Sequence, residues 1–66
     1  MSKTLRFIDD NERQNTLELF LNSEGRLFIQ VGDLEDQYNS GYITLDQGDV
    51  KGLIAELKRI EKTMKL

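Results

Sequence analysis

The chain of 66 residues contains no cysteine, histidine, proline or tryptophan. Without cysteine or histidine it cannot form a disulfide, a thiolate or imidazole metal site, or a Cys-His or Ser-His nucleophile pair. The sequence has no apolar run long enough for a signal peptide or a membrane-spanning helix. We therefore expect a soluble, cytoplasmic protein.

Charge and motif content narrow the function classes further. The net charge of −3 is too small for a polyanion mimic and has the wrong sign for simple attraction to nucleic acid. There is no glycine-rich phosphate loop and no nucleophile with an evident base. The acidic segment containing Asp33, Glu35 and Asp36 lacks the ligand spacing of a calcium-binding loop. We expect no enzymatic activity, no cofactor and no metal.

The apolar residues that are present follow the alternation of β-strands. They predict four strands at about 4–8, 16–22, 26–31 and 41–45 within a single domain covering residues 1–66. A long polar loop is expected before the fourth strand. That loop would allow the strand to lie beside either the third or the first strand.

The alternation of side chains between the two faces of a strand fixes the register of the central hairpin. The leucines of the second strand must share a face with Leu27, Ile29 and Val31, and a three-residue loop ending in Gly25 preserves this match. Gly25 would supply the left-handed conformation that such a loop needs. In this register Phe20 lies opposite Phe28, so the two rings are predicted to form a cross-strand pair.

The C-terminal third has the spacing of an amphipathic helix, predicted over 47–64. Asp46 is its expected N-cap, and Asp49 is the acidic residue of the first turn. The apolar stripe of the helix consists of Val50, Leu53, Ile54, Leu57, Ile60 and Met64. We predict an α+β fold, β-β-β-β-α: a four-stranded antiparallel sheet with one C-terminal helix packed on one face.

A single helix leaves the other side of the sheet uncovered. We name that side the aromatic face; it comprises Arg6, Ile8, Glu18, Phe20, Arg26, Phe28, Gln30, Tyr42 and Thr44. A mixed aromatic and polar patch of this kind is typical of contact surfaces, although isolated exposed aromatics are also common. The sequence predicts an interaction surface formed by Phe20, Phe28, Tyr42, Arg6, Arg26 and Ile8. The expected function is that of a protein-interaction module, homodimeric through this face, that regulates or inhibits a macromolecular partner.

The helix carries a second possible contact face opposite its apolar stripe. Gly48, Gly52, Ala55 and Arg59 line up there. An exposed glycine within a helix costs about 1 kcal/mol relative to alanine, so paired glycines suggest the close approach of another backbone. Tolerated drift explains the same residues, with Gly48 near enough to the helix start to cost little.

Two other functions remain open. Single-stranded nucleic acid could stack on the sheet aromatics beside Arg6, Arg26 and Lys3. The β-β-β-β-α order and the segment GYITLDQGDVKGLIAEL resemble the small transcriptional coactivator family that binds single-stranded DNA as a dimer. The basic, lysine-rich strands that such binding requires are absent, and Glu18 lies on the same face. The third reading is a small anionic ligand held at a dimer groove by Arg6, Arg26 or Arg59.

Overall fold

A computed structural model describes residues 3–33 and 36–64, with the backbone alone at 33 and 36–39. The elements are β1 (Leu5–Ile8), β2 (Asn15–Leu21), β3 (Leu27–Asp33), β4 (Asp36–Leu45) and α1 (Gln47–Thr63). The four strands form one antiparallel sheet in the order β1-β2-β3-β4. This confirms the α+β class and the β-β-β-β-α order.

The β2–β3 hairpin has the predicted register. Phe20 pairs with Phe28 and Leu19 pairs with Ile29. Gly25 adopts φ 78°, and its N–H donates to the Asn22 carbonyl at 3.1 Å. The Asn22 side-chain oxygen also accepts from two backbone N–H groups across the turn, at 3.0 and 2.9 Å. The alternation of apolar residues and one glycine therefore specify this turn.

The turn between β1 and β2 is closed by a carboxylate. Asp9 Oδ1 accepts from the backbone N–H groups of Asn11 and Glu12 at 2.8 and 3.2 Å. These two donors hold the pKa of Asp9 below its ordinary value. This connection is thus an Asx-type turn built on Asp9.

The fourth strand is longer than predicted, and its position is now defined. β4 begins at Asp36 rather than near 41 and pairs with β3, with a register irregularity at Gly32 and Asp33. The predicted long loop is therefore wrong. In residues 36–40 the strand pairs with β3 at Ser40 and Asp36, where the sequence has no apolar alternation to reveal a strand. The acidic residues discussed as metal ligands lie outside the described side chains.

The helix begins immediately after the sheet. Asp46 is the predicted N-cap: its Oδ1 accepts from Asp49 N at 2.9 Å, and Asp49 Oδ2 accepts from Asp46 N at 3.4 Å. The Asp49 N–H holds the pKa of Asp46 below its ordinary value. At the other end, Met64 is the C-cap, and the Thr63 hydroxyl donates to the Ile60 carbonyl at 2.8 Å. Only Asp46 separates the last strand residue from the first helix residue.

The side of the sheet opposite the aromatic face consists of apolar rows, and we name it the leucine face. Strand pairing places Leu5, Leu19, Ile29 and Ile43 in one row across all four strands. The other members of the face are Phe7, Leu17, Leu21, Leu27, Val31 and Leu45. Apart from Asn15 at the start of β2, the side chains named here are apolar, so this part of the face is suited to burial as one continuous surface.

The sequence predicted that the helix would lie along one face of the sheet, but in the structure it leaves the leucine face of its own protomer exposed. Its contact with the sheet is made mainly at the end of β4, and no residue of α1 is buried. Among the described residues no hydrophobic side chain is fully buried; Thr16, at 7% exposure, is the buried one. The helix follows the sheet after the single extended residue Asp46.

Candidate functional site

The aromatic face presents three rings in contact across three strands. Phe20 on β2 lies opposite Phe28 on β3, with ring centroids 5.0 Å apart and planes inclined by 32°. Tyr42 on β4 is the diagonal neighbour of Phe28, with centroids 5.3 Å apart and planes within 15°. Both separations lie in the range of favourable aromatic pairs. The predicted Phe20–Phe28 pair is thus extended to a ladder of three rings.

Exposure increases along this ladder toward the edge strand. Phe20 and Phe28 are partly covered, whereas Tyr42 is 74% exposed. Ile8, on the opposite edge strand, is 50% exposed. Since β1 and β4 are the outer strands of the sheet, the face offers one large ring and one aliphatic side chain at its two margins.

The charges on this face are partly paired. Arg6 and Glu18 are cross-strand partners, and Arg6 donates to Glu18 Oε2 from Nη2 at 2.8 Å and from Nε at 3.2 Å. Arg26 lies exposed at the turn and takes no part in the ion pairs formed among the described residues. Arg26 is the less engaged of the two arginines: its charge helps to lower the pKa of Asp46, but it makes no direct ion pair among the described residues.

The second predicted contact face lies along α1. A Cβ added at Gly52 would meet nothing within 4 Å, and one at Gly48 would lie 3.5 Å from Asp46 Oδ1. Arg59 forms an ion pair with Glu56 on the same helix, which holds the pKa of Glu56 below its ordinary value. This second contact face is open within the protomer, and its role in contact with another molecule stays a prediction.

The sequence did not identify the leucine face as a functional surface, because its apolar pattern predicted that the helix covers it. Ile43 in its central row is 54% exposed, and Val31 in the next row is 50% exposed. On α1, Leu57 is 53% exposed and Met64 is 69% exposed. The sequence did carry a signal for this arrangement: the interval of one residue between the end of the strand pattern and the start of the helix pattern.

Within 3–33 and 36–64, no helix has the length and apolar content needed to cross a membrane. No protein-family model, curated protein or solved structure matches the chain. The resemblance to the single-stranded-DNA-binding coactivators therefore depends on element order and apolar pattern alone.

Proposed function

We propose that the protein is a non-enzymatic, homodimeric interaction module that regulates or inhibits a macromolecular partner bound at the aromatic face. The observation that carries this proposal is the ladder of Phe20, Phe28 and Tyr42 with its terminal ring 74% exposed. Contact surfaces are enriched in such aromatic side chains, surrounded by polar groups that fix orientation. Here the polar groups are the Arg6–Glu18 pair and Arg26.

The sequence predicted a homodimer formed through the aromatic face. The exposed rows of the leucine face consist of apolar side chains, which suits a permanent interface between protomers better. A mixed aromatic and polar surface is instead typical of contacts with a separate partner. We therefore assign the aromatic face to the partner.

Tyr42→Ala tests this assignment with little risk to the fold, because the Tyr42 ring is 74% exposed. Burying a large apolar side chain contributes about 1.5–3 kcal/mol, so the substitution should weaken partner binding by about 10- to 150-fold. Lys51→Ala, at an exposed position of α1, is the matched control.

The experiment compares proteins captured from native lysate by immobilised wild type, Tyr42→Ala and Lys51→Ala, followed by affinity measurement with the purified partner. A specific partner binds wild type and the Lys51 variant alike and is depleted by the Tyr42 variant. Equal capture by all three proteins, together with unchanged affinity, would remove the aromatic face from the proposal.

A second candidate function is binding of single-stranded nucleic acid. The nearly parallel rings of Phe28 and Tyr42 favour it, since bases stack on exposed aromatic rings with about 1–3 kcal/mol per base. The test is fluorescence anisotropy of labelled oligonucleotides between about 50 and 200 mM salt. Binding that weakens with salt and is lost in Arg26→Glu supports this function; absence of salt-dependent binding rejects it.

A further inference from the structure

Two complementary apolar surfaces in this protein lack a covering layer within the described protomer. One is the leucine face of the sheet, where Ile43 is 54% exposed. The other is the apolar stripe of α1, where Leu57 is 53% exposed and no helix residue is buried. An antiparallel sheet with an apolar face and an amphipathic helix normally bury these surfaces against each other.

The size of the exposed surface indicates what covers it. The chain has an accessible surface of 6074 Å², whereas a compact monomer of 7.7 kDa has about 4,300 Å². Its radius of gyration is 13.4 Å, against about 11 Å for a compact chain of this length. The excess of about 1,700 Å² per protomer would give two protomers an interface in the range of obligate dimers, about 2,000–5,000 Å².

The attachment of the helix favours the sheet of a second copy over its own. Asp46 alone connects β4 to α1, and it has extended backbone angles of φ −86° and ψ 179°. The reciprocal hydrogen bonds between Asp46 and Asp49 hold this residue as the N-cap. With this connection the helix contacts its own sheet mainly at the end of β4, and the apolar stripe from Ile54 to Met64 stays exposed.

We propose that two copies of the chain exchange helices, with the apolar stripe of each α1 lying on the leucine face of the other protomer. This inference rests on the homodimer of the proposed function and adds the surface through which it forms. The dimensions agree: the stripe from Val50 to Met64 spans about 21 Å, and the seven residues of β2 span about 20 Å from first to last. In this arrangement both aromatic faces point outward, so one dimer offers two ladders to its partner.

Cross-linking between singly labelled chains tests the exchange directly. Because the sequence has no cysteine, Ile43→Cys and Leu57→Cys each introduce a unique thiol of similar apolar character. The two variants are mixed, unfolded and refolded together, and then treated with a short bismaleimide. The control mixture pairs Leu57→Cys with Ile8→Cys, whose position is equally exposed in the protomer but lies on the aromatic face.

The exchanged dimer predicts a covalent heterodimer from the Ile43 and Leu57 variants, at several times the yield of the Ile8 control mixture. Light scattering of the wild type is run in parallel. A dimeric wild type with no excess of the 43–57 product overturns the helix exchange and leaves the homodimer standing. A wild type that stays monomeric at high micromolar concentration overturns both the exchange and the homodimer.

Discussion

Two isoleucines of nearly equal exposure provide the sharpest energetic test of which sheet face is buried in the functional protein. Ile43 is 54% exposed on the leucine face at outer strand β4, and Ile8 is 50% exposed on the aromatic face at outer strand β1. In an isolated protomer, truncating either side chain to alanine removes half-exposed methyl groups and costs about 1 kcal/mol. The two variants would then be indistinguishable.

Burial of the leucine face in a dimer changes the expectation for Ile43 alone. Ile→Ala at a fully buried site costs about 2–5 kcal/mol, because a cavity adds to the lost transfer free energy. Each dimer contains the site twice, so Ile43→Ala should lower the free energy of dimer unfolding by about 4–10 kcal/mol. Ile8→Ala should stay near 1 kcal/mol per chain.

Urea unfolding followed by circular dichroism, at protein concentrations spanning two decades, measures both quantities. A dimer shows a midpoint that rises with concentration, and Ile43→Ala should lower that midpoint at every concentration. The reasoning is refuted if the two alanine variants unfold alike with midpoints independent of concentration. A larger loss for Ile8→Ala than for Ile43→Ala would instead restore the aromatic face as the dimer interface.

Three further predictions concern the helix, the turn and the cap. Leu57→Asp and Ile43→Asp should each be monomeric and poorly folded. When the two variants are mixed, a folded heterodimer should form, because one of its two helix–sheet contacts contains neither substitution. Light scattering measures this recovery, and its absence contradicts the exchange of helices. Gly25→Ala should lower the free energy of unfolding in urea by about 1–2 kcal/mol, because φ at this position is 78°. Gly52→Ala should instead raise it by up to about 1 kcal/mol, because the added Cβ meets open space. A destabilised Gly52 variant would favour the second contact face on the helix. The pKa of Asp46 is lowered in the folded protein, so the stabilisation that its carboxylate gives the helix is complete above about pH 4–5 and is lost as pH falls through the folded pKa. Asp46→Asn should therefore reduce the loss of helicity on acidification, measured by circular dichroism. An unchanged loss of helicity at low pH contradicts this role of Asp46.

The sequence was sufficient for the parts of the fold that local rules determine. The β2–β3 register followed from parity and from a single glycine, and it brought Phe20 opposite Phe28 as predicted. The helix start followed from the Asp46 and Asp49 pair. The beginning of β4 could not be predicted, because polar residues can continue a strand through backbone hydrogen bonds alone. The third ring of the ladder depended on that strand lying beside β3, a choice that the sequence left open.

An apolar pattern specifies that a surface is buried, but it does not specify which molecule buries it. The pattern of the leucine face and that of the α1 stripe are equally satisfied by a helix folded back on its own sheet and by one donated from a second copy. The structure favours the second case, because the helix that follows Asp46 contacts its own sheet mainly at the end of β4. Covering in trans would also remove the need for any element over the aromatic face, which would stay outward on both protomers. In the proposed dimer the second copy is therefore part of the fold, and two ladders face outward for a partner.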